Sequence, residues 1–235
     1  MQGFLKQGAA DAFAAEADGL EALRPHIRVP RVLERGVKDG KAFIVLEHLD
    51  LKRGGDYAAM GRALAALHRR TGPRFGWTRD NYIGLSAQRN GWCDDWVEFW
   101  RERRLRPQFE WAQGKGFDVQ MIDPAPILKN HQPQPSLLHG DLWSGNAGFT
   151  AKGPVIYDPA VYYGDRETDL AMTELFGGFP PEFYRAYEEA LPLDPGYEKR
   201  KHLYNLYHLL NHLNIFGGGY LAQVKATLRL LAGLL

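Results

Sequence analysis

The feature that most constrains the fold is a change in the spacing of apolar residues near position 50. Before it, strand-like and helix-like stretches alternate. Phe4-Leu5-Lys6 reads as the end of a strand, and residues 9–23 set Phe13, Ala17, Leu20 and Leu23 at helical spacing before Pro25 stops the helix. Residues 29–37 read as a second strand, 38–41 as a turn and 42–46 as a short buried strand, the last two antiparallel. After Gly54-Gly55 the spacing is helical, with Asp56 a candidate N-cap and Met60, Leu64 and Leu67 on one face. Trp96, Val97, Phe99 and Trp100 mark another helix, expected to break or restart at Pro107. Leu203, Leu206, Leu210 and Leu213 mark a long one ending at Gly217-Gly218-Gly219, and a last helix closes the chain. Among these helices, Ser136–Leu138 and residues 155–157 read as short strands around a Gly-containing loop, a hairpin-like insertion.

Composition narrows the function classes. The chain has 235 residues, 45% of them hydrophobic, enough for a sizeable core. Its 29 Lys plus Arg against 28 Asp plus Glu give no charge excess that would collect nucleic acid or an anionic membrane. Cys93 is the single cysteine, so no intramolecular disulfide can form. The first residues lack a signal peptide's basic and apolar regions, so a reducing cytoplasm is expected. No apolar run approaches the roughly 18 residues that cross a bilayer. Zinc chemistry is not expected, since neither C-x2-C nor H-E-x-x-H occurs.

The chemistry concentrates in His139-Gly140-Asp141-Leu142-Trp143-Ser144-Gly145-Asn146, followed by Ile156-Tyr157-Asp158-Pro159. Phosphoryl transfer needs a carboxylate that orients the attacking hydroxyl, and oxygen ligands that hold Mg²⁺ against the phosphates. Asp141 suits the first task. Asn146, through its amide oxygen, and Asp158, as the charged ligand, suit the second. A lone Asp and Asn at this spacing would more often only close a turn. Here the His-Gly-Asp lead, the short flanking strands and the second Asp occur together.

HGDLWSGN and the later VIYDPAVYYGDRETDLAMTELFGGFP resemble the signature of fructosamine and ketosamine kinases, within the aminoglycoside phosphotransferase and protein-kinase-like superfamily. The resemblance extends to FAAEADGLEAL at 13–23, RVPRVL at 28–33, VLEHLDL at 45–51, WCDDWVEFWRERRLRPQ at 92–108 and LLNHLNIFGGGY at 209–220. It implies an α+β, protein-kinase-like bilobal fold, with residues 1–50 a partial nucleotide lobe ending in the hinge and 51–235 a helical lobe carrying the catalytic loop. It implies ATP and Mg²⁺ as cofactors, Lys6 on the ATP phosphates paired with Glu16, and backbone groups of Glu47, His48 and Leu49 reading adenine. Trp143 would help form the sugar-amine pocket, and Asp169 would fix the catalytic loop that His139 opens. His68 is expected to be structural.

The implied activity is ATP-dependent phosphorylation of a sugar hydroxyl on ketoamines, free or on glycated protein lysines. A related aminoglycoside or amino-alcohol phosphotransferase is the alternative, and a non-catalytic binding remnant is a third reading. Only five residues precede Lys6, so the Gly-rich loop expected over the phosphates is missing and the N-terminal lobe is expected to be truncated. The segment around Phe4 would then be an exposed sheet edge, frayed or paired with a second copy.

Overall fold

The computed structural model describes residues 3–234. The chain opens with β1 (Gly3–Gly8), α1 (Ala10–Leu23), β2 (Val32–Lys38) and β3 (Lys41–Glu47), and the strands form one antiparallel sheet in the order β1-β3-β2. β3 is central because its apolar residues alternate inward: Ala42, Ile44 and Leu46 are buried between two partners. β1 is an edge among the described residues, with Phe4 and Leu5 more than half exposed at 52% and 57%. α1 covers the sheet with Phe13, Ala17, Leu20 and Leu23, the periodicity read from the sequence.

The rest is mostly helical. α2 (Tyr57–His68) starts as expected, the Asp56 side chain accepting the Ala59 N–H at 2.7 Å. It packs against a later helix, Pro181–Ala190, so closely that a Cβ at Gly61 would lie 2.3 Å from the Phe183 carbonyl oxygen. β4 (Asn81–Ile83) and β5 (Ser86–Gln88) form a small hairpin. The helix expected to break or restart at Pro107 restarts there through a change of helical type. α3 (Trp96–Phe99) passes into a π-helical turn (Trp100–Leu105) and then α4 (Arg106–Gly114), where Pro107 sits in the first turn. The wide turn absorbs the hydrogen bond that proline cannot donate. α5 (Ala125–Leu128) follows.

The hairpin-like insertion is a correction. β6 (Ser136–Leu138) does not pair with the strand near 155; it pairs with β9 (Tyr162–Gly164), while β7 (Ala147–Thr150) pairs with β8 (Gly153–Ile156). Two short ladders therefore hold the intervening loops from both sides. α6 (Glu167–Leu175), α7 (Pro181–Ala190), α8 (Tyr197–Phe216) and α9 (Leu221–Ala232) complete the chain. α8 ends where expected, at Gly217 with φ +88°, and carries Leu203, Leu206, Leu210 and Leu213 into a core shared with α3 and α4.

Candidate active site

The site is built on the loop that leaves β6. Gly140 has φ +84°, and a Cβ there would lie 2.1 Å from the Ala160 carbonyl oxygen, so only glycine lets the loop pass. Asp169, on the first turn of α6, holds this loop from behind. Its Oδ2 accepts the His139 N–H at 2.7 Å and its Oδ1 the Gly140 N–H at 2.8 Å. His68 Nε2 lies 3.1 Å from the same carboxylate, and His68 Nδ1 lies 2.8 Å from the Tyr187 hydroxyl. Burial pushes the Asp169 carboxyl up, but the His68 bond and the loop N–H groups outweigh it and hold it below the usual range. His68 is thus structural, and the sequence did not reveal its partner.

His139 is fully buried, and burial lowers its pKa. Its Nδ1 accepts the Asp141 N–H at 3.2 Å while its Nε2 meets the Tyr157 carbonyl at 2.9 Å, an arrangement that needs the neutral ring with Nε2 protonated. The imidazole therefore ties the loop of Asp141 to the strand end that presents Asp158.

Asn146 closes the loop. Its Nδ2 donates to the Asp141 carbonyl at 2.9 Å and to Asp141 Oδ2 at 3.1 Å, which leaves the amide oxygen as the atom available to a cation. Burial raises the Asp141 carboxyl to about 7 against the lowering effect of that Asn146 bond, with the charges of Asp169 and Asp158 adding to the rise. Asp158 stands at φ +57°, a left-handed conformation uncommon for a non-glycine residue. Its Oδ1 accepts from Lys6 Nζ at 2.7 Å, and the same ammonium donates to Glu16 Oε1 at 2.7 Å. β1 and α1 thus bring Lys6, with Glu16 beside it, to the carboxylate on the far part of the chain. Burial opposes the Lys6 charge, and the two carboxylates outweigh it.

Two cavities meet at Lys6 and Asp158. One, of about 290 Å³, has apolar walls from Leu46, Leu49, Leu51 and Tyr157, with His48 at its border. Glu47 lines it too, but its carboxylate is engaged by Arg28 Nη2 at 3.0 Å and the Arg31 N–H at 3.3 Å, so only its backbone remains for a ligand. The other, of about 360 Å³, lies between Glu16 and the β4–β5 hairpin, with Leu85 at the hairpin tip. The apolar slot ends at the Lys6 ammonium and the Asp158 carboxylate, and Asn146 is tied to its wall where the Asn146 carbonyl accepts the Tyr157 N–H at 3.0 Å.

Trp143 is not an isolated core aromatic. It packs edge-on to Phe176, centroids 6.1 Å apart, and the row continues through His212 at 4.7 Å to Phe216 at 5.4 Å. Its ring folds over Gly145, where a Cβ would lie 2.3 Å from ring carbon. Phe176, His212 and Phe216 were not singled out from the sequence, although the last two lie in the 209–220 segment that carries the resemblance.

Known proteins resemble this chain over most of its length. The family model for fructosamine kinase matches residues 4–232. A probable ketoamine kinase of Synechocystis is 50% identical over 228 residues, covering 92% of this chain and 77% of its own length. The chloroplastic protein-ribulosamine 3-kinase of Arabidopsis thaliana is 42% identical, covering 92% and 71%. A Haemophilus somnus structure assigned as a fructosamine-3-kinase superposes with a TM-score of 0.92 at 33% identity, covering 97% of this chain and 83% of that one. An aminoglycoside-3'-phosphotransferase of type VIII, at 18% identity and a TM-score of 0.52, shares the kinase-like fold alone. With its catalytic-loop constellation, its kinase-like α+β fold and the family match over nearly its whole length, this chain belongs to the fructosamine kinase family.

Proposed function

We propose that the protein transfers the γ-phosphoryl group of Mg²⁺-ATP to a sugar hydroxyl of a ketoamine, free or carried on a glycated lysine. The observation that carries this reading is that Lys6 and Asp158, from distant parts of the chain, meet at the end of an apolar slot, while Asn146 bridges Asp141 to the Tyr157 N–H next to Asp158. Residues 1–50 serve as the nucleotide lobe and 51–235 as the helical lobe. Leu46, Leu51 and Tyr157 would hold the adenine, with the backbone of Glu47, His48 and Leu49 available to its edge. Asn146 Oδ1 and Asp158 would hold Mg²⁺, which would neutralise charge on the phosphates. Lys6, kept in place by Glu16, reaches the phosphate oxygens.

Asp141 orients the acceptor hydroxyl. As the hydroxyl oxygen bonds to phosphorus and the bridge to the β-phosphate breaks, the proton passes to the Asp141 carboxylate, whose pKa of about 7 suits a late acceptor. Trp143 and the aromatic row beyond it form the wall for the sugar amine. The cytoplasm is the expected compartment, supported by the single Cys93; no helix among the described residues is long and apolar enough to cross a membrane. A second copy of the chain is the partner that the β1 edge would accept, and nucleic acid is not a partner.

The test is ADP release from Mg²⁺-ATP with a ribulosamine, a fructosamine and an aminoglycoside, each repeated with Asp141→Asn. Ketoamine-dependent release that disappears in Asp141→Asn is expected. Release with the aminoglycoside alone would replace the acceptor class, and silence with all three, in a chain extended upstream as well, would leave a binding protein.

A further inference from the structure

The segment 92–108, which distinguishes the chain's resemblance from the wider superfamily, holds a side chain that the catalytic reading does not use. Arg104, in the π-helical turn, is fully buried. Among the described residues it has no carboxylate partner: Nη1 donates to the Arg89 and Arg103 carbonyls at 2.5 and 3.2 Å, and Nη2 to Asn90 Oδ1 at 2.8 Å. Its Nε has no acceptor. The guanidinium lies over the rings of Tyr162, at 4.0 Å, and Phe99, at 4.7 Å, which offset part of the cost of burying the charge. A buried cation without a carboxylate is expensive, and an apolar side chain of similar volume would often be more stable.

What the charge supplies is direction. A guanidinium only donates, so Asn90 must turn its amide oxygen to Arg104 and its Nδ2 away. That Nδ2 donates to Asn81 Oδ1 at 2.7 Å, which obliges Asn81 to point its own Nδ2 at the Val161 carbonyl, 2.7 Å off. Gln88 runs beside this line. Its Oε1 accepts from the Tyr207 hydroxyl at 2.8 Å, and its Nε2 donates to Asn81 Oδ1 at 2.9 Å and to the Ala160 carbonyl at 3.0 Å. One end of the relay can only donate and the other, a peptide carbonyl, can only accept, so no amide in it can flip without losing a bond.

Ala160 and Val161 are buried, and they follow directly on Asp158-Pro159. The Ala160 N–H is already bonded to the His139 carbonyl at 2.8 Å. The segment after Asp158 is therefore fixed on its amide side by the catalytic loop and on its carbonyl side by the β4–β5 hairpin. Asp158 itself sits in left-handed backbone, which persists only where the surroundings over-determine it.

We propose that Arg104, Asn90, Asn81 and Gln88 are positioning residues that hold Asp158 in place for its cation through a directional amide relay anchored on Arg104. The proposal rests on the reading of Asp158 as a cation ligand. The test uses the full chain with ADP: Mn²⁺ is titrated and its free concentration followed by electron paramagnetic resonance, with a thermal unfolding midpoint on each sample. Gln88→Met and Arg104→Gln are expected to weaken Mn²⁺ binding about tenfold, the loss typical when a supporting hydrogen bond is removed from a metal ligand. Arg104→Lys stays a donor-only cation and loses less than Arg104→Gln, whose amide can flip. Should Arg104→Gln fail to fold, Gln88→Met, which removes no charge, carries the test. A lowered midpoint with unchanged Mn²⁺ affinity in Gln88→Met overturns the relay as a positioning device. A wild-type chain that binds no Mn²⁺ with ADP overturns the reading of the site itself, and the relay with it.

Discussion

Two carboxylate clusters lie along the same stretch of chain, and they differ in what they leave unspent. At the front, Asp141 Oδ1, Asp158 Oδ2 and Asn146 Oδ1 accept no hydrogen bond from the described residues. At the back, every oxygen is used. Asp165 Oδ1 accepts the Glu167 N–H at 3.1 Å, and its Oδ2 meets His131 Nε2 at 2.7 Å and the Tyr204 hydroxyl at 2.5 Å. Both Glu167 oxygens accept from Arg200, at 2.6 and 2.7 Å. His131, Asp165 and Glu167 lie close enough to hold a metal ion, their ligand atoms within 4.8 Å of one another. Internal donors already fill that role, so the cluster is a buried ion-pair network. Titratable side chains in proximity do not mark a site; acceptors with no internal donor do.

If that contrast is right, substitutions should separate activity from stability. The largest effect falls at the front: Asp141→Asn is expected to lower kcat about 10²- to 10⁴-fold, the range for losing a general base, with little change in the unfolding midpoint. Steady-state ADP release beside thermal unfolding checks both halves, and a comparable loss of stability would erase the distinction. At the back, Arg200→Met leaves Glu167 buried without its partner and should cost about 3–5 kcal/mol in urea unfolding, with kcat of the folded fraction retained. Asp169 belongs to neither class, since it is saturated like the back cluster yet holds the front loop. Asp169→Asn turns an N–H₂ toward a backbone donor, so it is expected to lose about 1–3 kcal/mol and also to lower kcat by roughly a hundredfold through misplacement of Asp141. A purely thermal effect would move it to the back group.

The sequence made the front cluster legible because its chemistry is local: Asp141 and Asn146 share one loop, and Asp158 ends the next strand. Lys6 and Glu16 needed the family resemblance, since a strand lysine has no local reason to pair with a helix glutamate ten residues on, or to meet a carboxylate 152 residues away. The back cluster and the Arg104 relay were not legible at all. Asn81, Gln88, Asn90 and Arg104 read individually as surface polar residues, and only tertiary packing buries them around two carbonyls. The same cause explains the misread insertion. Three-residue strands carry too little alternation to fix a partner, so β6 pairs with β9 because the loops between them are tied by Asp169 and His139.

The smallest expected effect concerns pH, and it belongs to the back cluster. Burial works against the charged form of His131, but the Asp165 hydrogen bond and charge outweigh it, with Glu167 adding, and hold the imidazolium above its ordinary range. A group whose pKa is higher in the folded state than in the unfolded one contributes stability that is fully present below the unfolded value, about 6.5 for histidine. That contribution is lost as pH rises through the folded value. The urea midpoint of the wild-type chain should therefore fall as pH rises above about 6.5, and His131→Gln, which keeps a donor for Asp165 but cannot titrate, should flatten that slope. Glu167 is also raised, by burial foremost, and its proton is lost in the same direction, so its contribution does not reverse the sign. A variant with the wild-type slope would place the titrating group elsewhere. A slope that also appeared in the KM for ATP would mean that the back cluster communicates with the front, and that the two are not separable as the hydrogen-bond pattern implies.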